Sequence, residues 1–301
     1  GLRLYKGKEY LNVLDFIGNY EKAGKAPLLL SGEQTFNKNE SCEYQDLEYP
    51  DDCIVDFDMR LIDLFKEIDK KKLTLKMQIR QEYYRVKELL DGKRPSRMDL
   101  FTYMDDEIYR ICVSGSHAKE NPFQQYLDFL YELGELSEDE QKLYAGIGRE
   151  FIQTIETTEM QKVYKMPILY SFYNHGNIRL AVTDEEVLES WKEFFDTGTN
   201  WKDFPNVNTY EDYKKVTDKQ HLSKAKRMPI RFLKASGKGF FVEKDGYALA
   251  LRDEIGEVVG NMAFGEQMGD VLGYRSLEYY RRRYEKADEI GDRKKDIFDF
   301  L

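Results

Sequence analysis

The residues best placed to do chemistry lie between Arg80 and Phe101. A helical stretch carries Arg80 and Lys87, a turn follows at Asp91-Gly92, and Lys93-Arg94-Pro95-Ser96-Arg97 opens a second helical stretch. Helix, glycine-containing turn and helix make the helix-turn-helix arrangement. Arg94 falls at the turn, where the free N–H groups of a helix start can meet a phosphate, and Arg97 falls in the first turn of the recognition helix. This spacing predicts contact with the backbone of duplex DNA through Arg80, Lys87, Lys93, Arg94 and Arg97, with Arg94 and Arg97 exposed. The same wording also suits an ordinary corner between two helices, the second of them capped.

Two further basic clusters compete for that role. Lys224, Lys226, Arg227 and Arg231, with Lys219 before them and Lys234 and Lys238 after, are candidate DNA contacts. Tyr279-Tyr280-Arg281-Arg282-Arg283-Tyr284 mixes aromatic rings with guanidinium groups, the chemistry of backbone binding combined with base stacking. At helical spacing, the same tail could bury Tyr280 and Tyr284 and leave its arginines in solvent. Trp191, Phe194, Phe195, Trp201 and Phe204 are expected to pack a core rather than to form a stacking platform.

Other chemistry lacks its residues. Ser236-Gly237-Lys238-Gly239 has neither the leading spacing nor the following hydroxyl of a phosphate-binding loop, since Phe240 comes next. There is no D-E-x-[DH] box, no G-x-S-x-G and no H-E-x-x-H. His117, His175 and His221 have no neighbour at ligand spacing and are expected in turns or at the surface. The acidic pairs Asp51-Asp52 and Asp105-Asp106 lack the E-x-K that would follow in a nuclease. Cys42, Cys53 and Cys112 match no zinc pattern and read as buried thiols of a reducing, cytoplasmic environment. The chain alone is expected to hydrolyse nothing and to hold no metal or cofactor.

The elements that must position these residues are mainly helical. The chain has 301 residues, 41% of them apolar and 34% charged, which suits more than one domain with much exposed helical surface. Its net charge of −10 weighs against coating nucleic acid indiscriminately and leaves room for a local basic face. No apolar run is long enough to span a membrane. Residues 10–17 read as a buried strand, 20–30 as a short helix, and 33–57 as a polar hairpin connector. Residues 58–162 read as helical almost throughout, broken at Asp91–Pro95 and at Ser114-Gly115, with Ser137 and Glu140 forming a capping box. Residues 163–301 carry a weak repeat. Lys165-Met166-Pro167-Ile168 and Arg227-Met228-Pro229-Ile230 each lead into apolar strand residues, a turn, a second strand and a helix, an order like that of two winged-helix modules. The fold class expected is α+β, predominantly α-helical.

The chain opens Gly1-Leu2-Arg3-Leu4-Tyr5, runs through Lys6-Gly7-Lys8-Glu9, and enters the apolar strand Leu11-Asn12-Val13-Leu14-Asp15-Phe16-Ile17-Gly18. This wording resembles the end of motif VI and the strand that follows it in superfamily II DNA helicases of the DEAD/DEAH-box type, akin to restriction-enzyme helicase subunits. The segments Asn121–Leu130, Glu156–Pro167 and the Leu277–Tyr284 tail add long likenesses of wording to the same family. The resemblance implies that residues 1–32 end the second RecA-like domain of a longer polypeptide. The chain is then its C-terminal accessory region, in a motor of the kind found in prokaryotic restriction or defence systems. It implies ATP and Mg²⁺ as cofactors of the full-length parent and Arg3 as a motif VI arginine finger that acts only there. DNA, the upstream helicase core and a partner subunit are the implied partners. The reading from another class is a helical protein-interaction region that docks a partner or restrains the motor without touching DNA.

Overall fold

A computed structural model describes residues 74–289, with side chains to residue 284. Arg3, Cys42, Cys53, the RecA-like end expected over 1–32 and the connector expected over 33–57 lie outside the described residues. The chain divides after Arg80, within the first described helix, and the architecture is that of the unit beginning at Gln81.

The described residues are predominantly helical with one small antiparallel sheet. The helices α1 (Leu75–Leu89), α2 (Arg97–Tyr103), α3 (Asp106–Val113), α4 (Tyr126–Leu133), α5 (Glu138–Ala145) and α6 (Ile147–Thr157) occupy the described part of the 58–162 region expected to be helical; residues 58–73 lie outside the described residues. Local chemistry sets their ends. Between α1 and α2 the chain reverses through Asp91 (φ 54°) and Gly92 (φ 79°). Ser96 caps α2 and Ser137 caps α5, each in a reciprocal box with the acidic residue three positions on. Helix α4 ends at Gly134 in the left-handed conformation.

The second half departs from the expected winged-helix order. The residues after Lys165 form a helix, α7 (Lys165–Tyr173), in place of a strand. Pro167 sits in its first turn, where no intrahelical N–H is needed. Lys165–Leu169, Ser171 and Phe172 are all buried, so the segment carries no polar stripe. A helix covered on all sides and a buried strand look alike in sequence. The residues after Arg227 are helical too. A π-helical turn, Lys226–Ile230, contains Pro229 and runs straight into α11 (Arg231–Ser236). Proline removes an i→i−4 hydrogen bond, and the widened turn absorbs that loss.

Between the two Met-Pro-Ile steps lie β1 (Ala181–Val182), α8 (Asp184–Asp196), α9 (Tyr210–Lys214) and α10 (Asp218–Ala225). Helix α8 starts in a capping box at Thr183. After α11 come β2 (Phe241–Val242), β3 (Leu249–Leu251), a 3₁₀ turn at Asp253–Glu257 and α12 (Met262–Glu289). The strands order as β1-β3-β2, all antiparallel, with Val182 opposite Leu249 and Phe241 opposite Leu251. The central strand is buried along its whole length. The two repeat copies therefore share one sheet and do not form separate winged modules.

Helix α12, 28 residues long, is the spine. It packs against α2, α5, α6 and α7. One apolar cluster reaches from Leu127 to Tyr280 and includes Trp191, Phe194, Phe195 and Phe204, which have the core role expected of them. At Gly269 the spine meets Tyr173 so closely that a Cβ there would lie 2.6 Å from the tyrosine hydroxyl oxygen.

Candidate nucleic-acid interface

The helix-turn-helix arrangement is present as a chain path, but its cations turn inward. Arg97 has no solvent exposure. Its Nε and Nη2 donate to Glu156 Oε1 at 3.0 and 2.6 Å, and its Nη1 donates to Gln267 Oε1 at 2.7 Å and Asp270 Oδ2 at 2.8 Å. The guanidinium also lies 4.4 Å from the centre of the Tyr126 ring. Burial opposes its charge, but Glu156 and Asp270 outweigh that and hold its pKa above the ordinary value. The expected exposure of Arg97 is thus corrected: each guanidinium nitrogen meets a protein acceptor, and the group is closed off from any phosphate.

Arg94 is drawn into the same network. Its Nη2 donates to Glu140 Oε1 at 2.8 Å, its Nη1 also reaches Glu140, and Nη1 donates to the Glu135 carbonyl at 3.1 Å. Gln267 Nε2 donates to Glu140 Oε1 at 2.7 Å, which links the Arg94 pair to the Arg97 pair through one amide. Burial alone would raise the Glu140 carboxyl, yet Arg94 and the Ser137 amide bring it below the usual carboxylate value. Lys87 Nζ is held by Glu135 at 2.7 Å. Arg80 is exposed on α1, and Lys93 is exposed with no ion pair to the described residues. Of the five residues expected to form one DNA-facing set, three are internal fasteners.

The later clusters also divide. Lys226 pairs with Asp184 at 2.6 Å, and Arg231 is exposed beside the Phe232 ring. Arg281 pairs with Asp106 and covers the Tyr109 ring, while Arg282 pairs with Glu278. Tyr279 and Tyr280 are buried, which removes them as a base-stacking platform.

What remains is a convergence that the sequence did not show. Lys224 of α10 places its Nζ 5.0 Å from the centre of the Tyr164 ring. Tyr164 donates its hydroxyl to the Asp203 carbonyl at 2.6 Å. The Asp203 carboxylate, fully buried, takes Lys162 at 3.7 Å, Arg283 of α12, and the Tyr279 hydroxyl at 3.2 Å. Burial and then Arg283 depress the Lys162 pKa; burial and then Arg227 and Lys162 depress that of Lys224. Lys162 and Arg283 therefore share the Asp203 carboxylate and repel each other, and Lys224 is repelled by Lys162 and Arg227 beside them. They come from the turn before α7, from α10, from the π-helical turn and from the far part of α12. Lys162 was missed because it stands alone in sequence, and only the fold brings it to the others.

The histidines and the described cysteine hold no hidden centre. His117 and His175 lie in 3₁₀ turns, as expected. His221 does not: it is 2% exposed, between the rings of Phe204 and Tyr213. Cys112 is a buried thiol whose pKa burial pushes up to about 12. Among the described residues no group of His, Cys, Asp and Glu could hold a metal ion, and no helix is long and apolar enough to cross a membrane. Comparison of the chain with protein-family models, with curated proteins and with solved structures gives no match.

Proposed function

We propose that the chain is the C-terminal, DNA-engaging accessory region of an ATP-dependent superfamily II DNA helicase or translocase of the restriction or defence type. The resemblance of its opening residues to the end of motif VI supports the family. The observation that supports DNA engagement is a basic group in which Lys162 and Arg283 share the one buried Asp203 carboxylate and Lys224 feels the charges of Lys162 and Arg227. A phosphodiester placed among these cations relieves their mutual repulsion, and it carries no base information, so the contact positions the strand. In this reading ATP and Mg²⁺ belong to an upstream core, and Arg3 is the trailing motif VI arginine that stabilises charge on the γ-phosphate. The isolated chain then turns over no ATP.

The test is the salt dependence of duplex binding by the chain. Lys224→Ala with Arg227→Ala should weaken binding and flatten the plot of log K against log salt by roughly 0.9 for each phosphate no longer neutralised. Unchanged affinity and slope would remove this cluster from the interface. In the full-length parent, Arg3→Ala should lower ATP turnover by something on the order of 10³-fold.

A second reading, docking of a partner polypeptide, is favoured by the inward pairing of Lys87, Arg94 and Arg97, which leaves little free positive charge around α2.

A further inference from the structure

A cleft of about 410 Å³ opens between α7, α8 and α12, and none of Lys162, Lys224, Arg227 and Arg283 lines it. Its walls include Tyr170, Tyr173 and Phe194, with Leu277 from the spine. Its lip is the turn Asn174-His175-Gly176, three successive residues in the left-handed region, with φ of 43°, 51° and 94°. That turn brings His175 to 3.6 Å from Glu193.

Several donors of the cleft are already spent: the hydroxyls of Ser171, Ser190, Thr197 and Ser276 all donate to backbone carbonyls. Its one arginine, Arg179, is already committed, with Nε 3.1 Å from Glu186 and Nη1 donating to the Ser171 carbonyl at 3.2 Å. Glu189 and Glu193, one helical turn apart on α8, line the same wall. Glu189 has no hydrogen bond or ion pair with the described residues, and Glu193 has only the exposed His175. Asn200 also lines the cleft; it is 7% exposed, and its Nδ2 is used on the Phe194 carbonyl at 2.9 Å. Its Oδ1 is left as an acceptor with no donor among the described residues.

Aromatic walls, one unpaired carboxylate, a second met only by His175, and an amide acceptor without a donor among the described residues ask for one kind of occupant. It must bring several N–H donors, a positive charge and an apolar stem. A guanidinium offers five donors in a plane that stacks on aromatic rings, and its methylenes cover apolar surface. An ammonium has the charge but not the planar fork. We infer that this cleft receives an arginine side chain presented by a partner polypeptide. The inference rests on the partner-docking reading and is independent of the DNA contact.

The probe is acetyl-Gly-Arg-Gly-amide titrated into the full chain and followed by amide and aromatic NMR shifts. The expected result is saturable shifts confined to α7, α8 and the 174–176 turn. The isosteric, uncharged citrulline peptide should bind at least about tenfold more weakly, as should the arginine peptide to the Glu189→Gln/Glu193→Gln variant. The Arg227→Ala variant should bind it as the parent does. Equal binding of the citrulline peptide, equal binding by the double variant, or shifts spread over all acidic surface would overturn the site. Failure here would leave docking through another surface standing. A partner captured equally well by the double variant would instead separate docking from the cleft.

Discussion

Arg97 donates to Glu156 across 59 residues of sequence, with Nη2 to Oε1 at 2.6 Å and both side chains withdrawn from solvent. Asp270 completes the charge balance from the spine helix, accepting from the Arg97 side chain and from the backbone N–H groups of Arg97 and Met98. An arginine at the start of a short second helix is here a rivet between α2, α6 and α12.

Removing that rivet should be costly. Arg97→Ala leaves Glu156 and Asp270 facing each other without compensation, and a broken buried pair typically costs about 3–5 kcal/mol. Arg97→Lys should recover only part of the loss, because an ammonium cannot span both carboxylates as a planar fork does. Urea unfolding of the three proteins measures this. A loss under about 1 kcal/mol for the alanine variant would contradict the structural role.

Arg94 should behave as a fastener and not as a DNA contact. Arg94→Ala strands the buried Glu140 carboxylate and should cost about 1–3 kcal/mol. The salt slope of duplex binding should stay at the parent value. A slope flattened by about 0.9 with stability unchanged would restore Arg94 to the interface.

His221 should make stability fall on mild acidification. Burial first, and then the nearby Lys192, depress its pKa below the ordinary 6.5, against the weaker pull of Asp218 and Asp196. Its Nδ1 is buried without a partner. The unfolded chain takes up this proton more readily than the folded one. The contribution of His221 is therefore present above pH 6.5 and is lost as pH falls below it, by at most about 1.4 kcal/mol per pH unit. His221→Phe keeps an aromatic ring and should flatten the stability profile between about pH 7 and pH 5. Identical slopes in the two proteins would show that His221 does not titrate differentially.

Gly269 and Tyr173 should couple. A Cβ at Gly269 would stand 2.6 Å from the Tyr173 hydroxyl oxygen and 2.8 Å from Cζ. In the parent, Gly269→Ala sets a helix-propensity gain of about 1 kcal/mol against overpacking of about 1–3 kcal/mol. In a Tyr173→Ala background only the gain remains. A double-mutant cycle should show about 1 kcal/mol or more of interaction, and strict additivity would mean that the ring moves aside freely.

The legible parts of this fold were those whose signal is local. Ser137 with Glu140 and the Asp91-Gly92 reversal each announce an element boundary through side-chain chemistry within a few residues. The aromatic group around Trp191 was legible because large rings bury themselves whatever the topology. Segments buried on every side were not legible. The α7 segment lacks the polar stripe that separates a helix from a strand, and β3, three residues long, gives too short a run to read. Charge was read least well. A lysine or arginine looks the same in sequence whether it meets solvent or a carboxylate far along the chain. So Arg97 was placed outside, and Lys162 was not placed at all.

The ion network also imposes an order on synthesis. The acceptors of Arg97 on the spine, Gln267 and Asp270, lie 170 and 173 residues further along the chain. While the chain emerges from its N-terminal end, Arg97 can meet Glu156, 59 residues on, but its Nη1 must wait until nearly the whole unit has been made. Closure of so long a loop is slow and comes late. The unit can therefore pass into its finished state only after α12 arrives, and a chain that stops short of the spine holds Arg97 by Glu156 alone, with its Nη1 unanswered for as long as it lasts.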